Sequence, residues 1–416
     1  MSELLFLSGN EAVAHAVRLS RPRVIAAYPI TPQTVVVEKL ADMVENGELA
    51  TEFVHVESEH SALSLVMGSA AMGVRTFTAT SSQGLLYMAE ILPYTAGGRF
   101  PLVMMNANRA LALPWNIYGD QSDSLSQISC GWIQSYAETA QESLDLTIQA
   151  YAIAEDPHIR TPVMVNLDGF VLTHTYEPVL VPDQQLVDEF LPAPDFPTGT
   201  PGTFNRQQPQ SLAMTAGPGA YSVFKYRQHQ DMLDAAERIR SINLRYARRF
   251  GAEPLGLTES YRVDDAEFIV ITAGSIAGSV RCVVDELRDA GIRAGLLRLR
   301  YLRPFPTKEI THALFSSQRK LPVRALAVLE KDISFGHQGT ISTEVKAALY
   351  DYASRHQKAP LPCINVVAGL GGQNISLADI HDVFASLQPL ATVPAAARNQ
   401  PVVHFTGLES HHENLD

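Results

Sequence analysis

The sequence predicts an α/β protein built from two doubly wound parallel sheets, and three observations lead to this prediction. Strand patterns alternate with helical patterns over residues 1 to about 170. The stretch from Thr51 to Met88 shows the alternation most clearly, as strand, helix, strand and helix. After a Pro-rich stretch and a charged helical segment, the alternation restarts near Asp264. Strands that alternate with helices of this length are typical of parallel sheets covered on both faces.

The elements of the first half follow from short apolar runs separated by segments of helical periodicity. Predicted strands cover Val24–Ala27, Phe53–Val56, Arg75–Thr80, Pro101–Met105 and Thr161–Leu167. Predicted helices cover Val35–Val44, Ala62–Ala70, a segment from Gln83 onward and Leu125–Glu155. Pro29 and Pro32 stop any helix just after the first of these strands and fix a loop there.

The middle of the chain differs in texture from both halves. Residues Pro178–Pro218 carry many prolines and little periodicity, so they form either a disordered linker or an extended arm laid over a surface. Val223–Phe250 is a charged helical pattern that we interpret as a connector.

A second, smaller α/β unit of about 120 residues follows, within the usual range of domain sizes. Its predicted strands are Glu267–Thr272, Ala294–Leu299, Ala325–Glu330 and Ile364–Ala368, and its helices Ile276–Ala290 and Ile341–Tyr350. We therefore divide the chain into residues 1–250, with the Pro-rich arm at about 175–220, residues 251–392, and a loose tail over 393–416.

Composition and charge exclude several classes of protein. The 416 residues are 46% hydrophobic and 18% charged with a net charge of −12, so nucleic acid is not the expected partner. Cys130, Cys282 and Cys363 are scattered without a CxxC, which argues against an iron–sulfur or zinc site held by this chain alone. With no signal peptide and no apolar run of membrane-spanning length, we expect a soluble, cytoplasmic protein.

Two carboxylates, Glu57 and Glu59, stand at the junction between the strand Phe53–Val56 and the helix after it. In open parallel sheets, ligands bind at the carboxyl ends of strands. The simpler interpretation of Glu59 is an acid in a first helical turn, favoured there by the helix dipole. Ser58 is the candidate N-cap, without the acidic or amide residue that would complete a capping box.

The motifs around this junction resemble a known family. ESEHSA and TATSSQGL, with YPITPQT upstream and NRAL downstream, resemble the α subunit of the 2-oxoacid:ferredoxin oxidoreductases, thiamine-diphosphate enzymes that include pyruvate, branched-chain and phenylglyoxylate oxidoreductases. RPFP, VLEKD and GLGG extend the resemblance into the second half. It implies a pyrimidine-binding domain followed by a domain like the transketolase C-terminal one, here residues 1–250 and 251–392.

The resemblance also implies roles for three residues. Glu59 aligns with the glutamate that hydrogen-bonds the aminopyrimidine of thiamine diphosphate and shares a proton with its ring nitrogen. Arg109 aligns with the arginine that contacts the substrate carboxylate, and Thr31 with a threonine of the same pocket. On residue patterns alone, Arg109 is equally a surface arginine paired with Asp120 or Asp123, and Thr31 a turn-capping hydroxyl. Glu57 is expected to be structural.

Other motifs receive structural interpretations or point to partner subunits. Two glycine-containing motifs are interpreted as tight turns with close backbone packing rather than as phosphate-binding loops. They are AGSIAG, with Gly274–Gly278, and GLGG, Gly369–Gly372. The GDG pattern that holds the diphosphate and its Mg²⁺ is absent, Gly119-Asp120-Gln121 being its nearest match. The resemblance therefore implies a β subunit that carries that site, γ and δ subunits, and iron–sulfur clusters only on those partners.

The resulting prediction is the α subunit of a 2-oxoacid:acceptor oxidoreductase. It would convert a 2-oxo acid and CoA to acyl-CoA and CO₂, with ferredoxin or an NAD-linked subunit receiving the electrons. Pyruvate is the common substrate in the family, whereas Trp115 and Tyr118 near Arg109 would either line a pocket for an aromatic acid such as phenylglyoxylate or serve packing. The alternative function is a scaffold subunit without catalytic activity.

Overall fold

The computed structural model describes residues 2–194, 203–204, 209, 211, 215–392 and 403–407. Within these residues the strands are β1 (Glu3–Ser8), β2 (Val24–Ala27), β3 (Glu52–His55), β4 (Thr76–Thr80), β5 (Val103–Asn108), β6 (Ile133–Tyr136), β7 (Val163–Asp168), β8 (Tyr176–Val181), β9 (Thr258–Tyr261), β10 (Phe268–Thr272), β11 (Ala294–Leu299), β12 (Tyr301–Arg303), β13 (Ala325–Glu330), β14 (Cys363–Val367) and β15 (Val403–Phe405).

The helices of the described residues connect most of these strands and cover the sheets. They are α1 (Gly9–Ser20), α2 (Thr34–Glu45), α3 (Glu59–Ala71), α4 (Ser82–Tyr87), α5 (Ile91–Gly97), α6 (Ser122–Ser126), α7 (Ala140–Ala154), α8 (Val171–His174), α9 (Gln184–Phe190), α10 (Pro218–Phe250), α11 (Ile276–Asp289), α12 (Thr307–Phe315), α13 (Thr340–Arg355) and α14 (Leu377–Thr392). None of these helices is long and apolar enough to cross a membrane.

The first sheet has seven strands in the order β12-β6-β7-β5-β4-β2-β3. All its neighbouring strands run parallel except β12, which pairs antiparallel with β6. Separate apolar clusters cover its two faces, because its strands are apolar on both sides. The carboxyl ends of β3, β2, β4, β5 and β7 therefore meet at one edge.

The second sheet has six strands in the order β15-β14-β13-β10-β11-β9, parallel except for β9. Apolar clusters again lie on both faces. The prediction of an α/β fold with two doubly wound parallel sheets is confirmed. The long helix α10, which packs against α7, is the charged helix expected between the two sheets.

The prediction of a largely helical segment from Leu125 to Glu155 is wrong in the middle of the segment, where strand β6 lies. Its four residues are buried, and the strand lies between the edge strand β12 and β7. A buried run of four residues has no periodicity to separate it from the helical patterns on either side. Strand β12 crosses from the second half of the chain into the first sheet, a pairing that only the tertiary fold reveals.

Part of the Pro-rich arm is regular structure. β8 pairs antiparallel with β1 in a two-stranded ribbon, and α9 follows. The inner face of the ribbon, including Leu7 and Val179, is buried, whereas Leu4, Phe6 and Leu180 are exposed on the outer face. Because both faces are apolar, the alternation that marks a half-buried strand is missing from the sequence. The rest of the arm, from residue 195, lies mostly outside the described residues, and residues 403–405 of the expected tail form β15.

The carboxyl ends of the two sheets face each other. Asp168, at the end of β7, accepts hydrogen bonds from the Ser275 amide at 2.8 Å and from its hydroxyl at 2.5 Å. Lys331, just after β13, places its Nζ 3.1 Å from the same carboxylate. The loops that follow the parallel strands are therefore held between the two sheets.

Candidate functional site

Four loops meet at the carboxyl edge of the first sheet, after the neighbouring strands β3, β2, β4 and β5. They carry Glu59, Thr31, Ser82 and Arg109, respectively. The parallel arrangement thus brings the three residues singled out from the sequence to adjacent positions along one edge.

Glu59 is the first residue of α3, and its side chain is only 8% exposed. Ser58 is the N-cap, its hydroxyl accepting a bond from the Ser61 amide at 3.1 Å, without a capping box as the sequence indicated. Among the described residues, the Glu59 carboxylate has no hydrogen-bond partner. The residue is mostly buried, and its carboxylate oxygens remain open to a donor from outside the chain.

Gly84 forms the wall against which the Glu59 carboxyl lies. A Cβ placed on Gly84 would stand 2.6 Å from Glu59 Oε1 and 2.6 Å from the Thr80 hydroxyl. The hydroxyls of Thr80 and Ser81 are buried and also lack partners among the described residues. This corner of the edge therefore combines an acid and two free hydroxyls around a residue that has no side chain.

Glu57 has a local structural role, as predicted. Its carboxylate accepts a hydrogen bond from the Ser61 hydroxyl, which lowers the pKa of Glu57 below its ordinary value. The side chain is exposed and lies on the first turn of α3. His60 lies beside Glu90, with 3.2 Å between His60 Nε2 and Glu90 Oε2.

The loop that carries Thr31 is fixed by amide side chains. Asn10 donates to the Pro32 carbonyl at 2.9 Å, and Gln33 donates to the Tyr28 carbonyl at 2.9 Å. Thr31 itself is exposed, and its carbonyl accepts a bond of 3.0 Å from Arg109 Nη1. The structure therefore brings Thr31 and Arg109 into direct contact.

Arg109 follows β5 and is 7% exposed. Its Nε donates to the Asn116 carbonyl at 3.3 Å, and burial lowers the pKa of the guanidinium. It forms no ion pair with Asp120 or Asp123 within the described chain, so the paired-surface interpretation of the sequence does not hold. Its Nη2 is left without a partner among the described residues, so it is free to donate to a carboxylate from outside the chain.

Asp123 lies next to the site residues, although the sequence indicated it only as a possible partner of Arg109. Its carboxylate is fully buried and accepts bonds from the backbone amides of Ser82 at 3.0 Å and Arg109 at 3.2 Å. Ser82 is also unusual, because its φ of 52° lies in the left-handed region. Neither feature has a sequence signal beyond the serine pair and the short spacing from Arg109 to Asp123.

The remaining motifs make structural contacts. Gly274 has a φ of 78° and turns the Ser275 amide toward Asp168, and Gly371 donates its amide to Asp120 at 3.1 Å. The interpretation of both motifs as tight, closely packed turns is confirmed. The Asp120 carboxylate in the GDQ sequence is thus engaged within the chain, and Tyr118 packs against Phe170 with 5.2 Å between ring centroids.

The groups at this corner of the edge suit the pyrimidine ring of thiamine. The unpartnered Glu59 carboxylate, the free Thr80 and Ser81 hydroxyls and the space that Gly84 leaves open match a heterocycle with ring and exocyclic nitrogens. In the described part of the chain, no cluster of three His, Cys, Asp or Glu side chains is placed to hold a metal ion. The residues at this corner therefore fit the pyrimidine end of the cofactor.

Two family models match the chain, one for each sheet. Residues 15–243 match the family described as pyruvate flavodoxin/ferredoxin oxidoreductase, thiamine diphosphate-binding. Residues 266–380 match the family described as pyruvate:ferredoxin oxidoreductase core domain II.

Curated relatives cover nearly the whole chain. The pyruvate synthase subunit PorA of Methanothermobacter thermautotrophicus is 43% identical over 380 residues, which are 91% of this chain and 94% of the relative. The ketoisovalerate oxidoreductase subunit VorA of Pyrococcus horikoshii is 41% identical over 383 residues, 92% of this chain and 93% of the relative.

Solved structures show the same fold. The 2-oxoglutarate:ferredoxin oxidoreductase from Magnetococcus marinus, solved with 2-oxoglutarate, coenzyme A and succinyl-CoA bound, superimposes with a TM-score of 0.67 at 18% identity. The match covers 93% of this chain and 65% of that longer one. A split-gene transketolase, an inactive β4 tetramer, gives a TM-score of 0.51 at 11% identity and covers 92% of this chain and 99% of that one.

Proposed function

The chain belongs to the pyruvate flavodoxin/ferredoxin oxidoreductase family, and we propose that it supplies the pyrimidine-binding side of the active site in a 2-oxoacid:acceptor oxidoreductase. It is an α subunit of this family, whose members carry out the CoA-dependent oxidative decarboxylation of 2-oxo acids. The observation that carries the proposal is the buried, unpartnered Glu59 carboxyl at the carboxyl edge of the first sheet.

Glu59 is proposed as the catalytic acid–base group of this chain. When bound, thiamine diphosphate supplies the carbon that attacks the keto group and that accepts the electron pair released with CO₂. Glu59 would hold a proton at its carboxyl oxygen and share it with the pyrimidine ring nitrogen, thereby fixing the ring's orientation. A nearly buried site strengthens this hydrogen bond because water does not compete for it.

Arg109 and Thr31 are proposed to bind the substrate. Arg109 Nη1 is held by the Thr31 carbonyl, whereas Nη2 is free to donate to the carboxylate of a 2-oxo acid. Thr31 is exposed, and its hydroxyl would bond the carboxylate or the keto oxygen. Two donors fixed on neighbouring loops would orient the substrate before the reaction begins.

We further propose that the diphosphate and Mg²⁺ are held by a partner β subunit, that γ and δ subunits complete the complex, and that iron–sulfur clusters lie on these partners. The three cysteines of the chain are far apart in sequence, and the Asp120 carboxylate is already engaged by Ser122 and Gly371. Ferredoxin or an NAD-linked subunit would receive the electrons. The two family matches support the proposed division at about residue 250.

Pyruvate is the proposed substrate, with a branched-chain 2-oxo acid as the second choice. The relatives named above act in pyruvate and ketoisovalerate metabolism according to their names. Trp115 is 72% exposed and Tyr118 packs on Phe170, so neither encloses a pocket for an aromatic acid within this chain. Small or branched acids are therefore favoured over phenylglyoxylate.

The test uses the complex isolated from its native host through this chain. We would assay viologen reduction without oxygen, in the presence of CoA and thiamine diphosphate, with pyruvate, 2-oxoisovalerate, 2-oxoglutarate and phenylglyoxylate. A clear preference for pyruvate is the expected result. Absence of activity with every 2-oxo acid, although the iron–sulfur partners co-purify, would instead support the scaffold alternative.

A further inference from the structure

The Asp123 carboxylate joins three loops of the site from beneath. Its Oδ2 accepts from the amides of Ser82 and Arg109 and from Asn106 Nδ2, at 3.0, 3.2 and 3.1 Å. Its Oδ1 accepts from Asn108 Nδ2 and the Ser124 amide, at 2.8 and 2.7 Å. Five donors therefore converge on one buried side chain, which is 0% exposed.

These donors come from the residues that shape the site. Ser82 begins α4, and the same helix contains Gly84, the residue against which Glu59 lies. Arg109 is the first residue after β5, so its amide fixes the point from which its side chain extends toward Thr31. The Ser82 hydroxyl donates to the Ala110 carbonyl at 2.6 Å and ties the same two loops together once more.

We propose that Asp123 is a positioning residue for the reaction, which holds the backbone of Arg109 and Ser82 so that Arg109 presents its free Nη2 to the substrate carboxylate. This inference rests on the proposed function of Arg109. Asp123 does not contact the substrate itself, because it is fully buried beneath the loops. Its negative charge also opposes the effect of burial on Arg109, since burial lowers the pKa of the guanidinium and the Asp123 charge raises it.

The geometry makes Asp123→Asn a sharp probe. The variant keeps the size of the side chain, but its NH₂ group must face either two or three of the five donors, depending on its orientation. Donors that face donors cannot all be satisfied, so the amides of Ser82 and Arg109 must shift. Because displacement of a substrate-binding group by about 1 Å costs up to about a hundredfold, we expect a rise in KM of roughly tenfold to a hundredfold.

The experiment measures KM and kcat for the 2-oxo acid that the wild-type complex uses, in Asp123→Asn, Arg109→Lys and the double variant. If Asp123 acts through Arg109, Asp123→Asn raises KM strongly in the wild type, but by less than about twofold in the Arg109→Lys background. Effects that multiply in the double variant would overturn the proposal. So would an Asp123→Asn complex whose KM stays within about twofold of wild type.

Ser124→Ala is the matched control. It removes the hydroxyl that bonds Asn108 and Tyr136 in the same buried network, but keeps the Ser124 amide that donates to Asp123. Its KM should remain within about twofold of wild type if the position of Arg109 depends on the Asp123 contacts rather than on the buried network in general. A KM shift in Ser124→Ala as large as that in Asp123→Asn would contradict the proposal.

A second measurement needs no variant and no turnover. Hydrogen exchange on the wild-type complex should show the amides of Ser82 and Arg109 protected, because both donate to Asp123. Free exchange at these two amides would overturn the inference even if Asp123→Asn does not fold. Absence of 2-oxo acid activity in the wild-type complex would instead count against the proposed function. The exchange measurement would still show whether the two amides are bonded to Asp123.

Discussion

Gly84 is the residue on which the surroundings of Glu59 depend most directly. Gly84→Ala would place a methyl group 2.6 Å from both Glu59 Oε1 and the Thr80 hydroxyl. One of these groups must move, and overpacking of this kind costs about 1–3 kcal/mol. We expect the affinity of the complex for thiamine diphosphate to fall by about tenfold or more, measured by titration of the cofactor into the cofactor-free complex.

Gly68→Ala is the control for this prediction. Gly68 lies within α3, as does Glu59, but a Cβ there has nothing within 4 Å. The substitution should stabilise the helix by about 0.5–1 kcal/mol and leave cofactor affinity unchanged. Equal cofactor affinity in the two variants would show that Gly84 does not shape the Glu59 site.

Glu59→Gln tests the catalytic role itself. Glutamine keeps the size of the side chain at a position that is 8% exposed, so the subunit should fold and assemble as before. It cannot transfer a proton as a carboxyl does, and loss of general acid–base catalysis costs about 10²–10⁴-fold in kcat. Viologen reduction by the assembled variant complex measures the loss, and turnover equal to wild type would favour the scaffold alternative.

For single residues, the sequence indicated candidates that lie in a recognisable local motif. It did not indicate residues whose role depends on contacts between distant parts of the chain. Glu59, Arg109 and Thr31 could be proposed from the sequence because each stands within a short string that resembles the family. Asp123 was not proposed as a site residue because its contacts bring together α4, β5 and the residue after β5, which meet only in the folded sheet. Distances between loops are not encoded in any single string of residues.

Among the elements, the strands buried on both faces were predictable and the irregular additions to the sheets were not. β10, β11 and β13 are buried and mostly apolar along their whole length, as parallel strands covered on both faces should be. β6 is four residues long, and β12 only three, so neither provides a pattern that outweighs its neighbours. The end of β6 is nevertheless bonded to a buried group of charges, since Arg298 Nη2 donates to the Tyr136 carbonyl at 3.0 Å.

That group centres on Glu142 in α7, which bonds Arg298 of β11 and Arg300 just after it. Burial would raise the pKa of Glu142, but the two guanidiniums lower it to about 2. Glu142→Gln leaves both arginines buried with fewer anions, so we expect a loss of about 3–5 kcal/mol in the free energy of unfolding. Urea unfolding of the isolated chain at pH 7 measures the loss.

The pH dependence of the wild type follows from the same pKa shift. Since the folded pKa of Glu142 lies below the ordinary value of 4.5, its stabilisation is complete above about pH 4.5 and disappears as the pH falls toward 2. Glu142→Gln should lack this part of the acid unfolding. Asp351→Asn is the control, because the Asp351–Arg355 pair is highly exposed and should contribute less than about 1 kcal/mol. Equal stability losses in the two variants would refute the assigned role of the Glu142 group.

For the whole molecule, the decisive feature is that the carboxyl edges of the two sheets meet, which places the site loops between them. Asp168 joins the edges through Lys331 and Ser275 of the second half. Gln121 of the first half donates to the same carboxylate at 3.0 Å. The sequence predicted two sheets but not their orientation, because the residues that join them lie 107 and 163 positions apart along the chain. Burial alone would raise the pKa of Asp168. The Lys331 ammonium and the bonds from Ser275 and Gln121 instead hold this pKa below its ordinary value.

Lys331→Met tests whether this contact holds the sheets together. The variant removes the cation and leaves the Asp168 carboxylate buried with only neutral donors, and breaking a buried pair in this way costs about 3–5 kcal/mol. We expect faster hydrogen exchange at the Gly274–Ser275 and Gly369–Gly372 turns, where the second sheet contacts the first, and little change within β4 and β5. Lys308→Met, at an exposed position, should leave both regions as in wild type. Acceleration spread evenly over both sheets would instead mean that Lys331 stabilises the fold in general, and the site loops would then owe their position to other contacts.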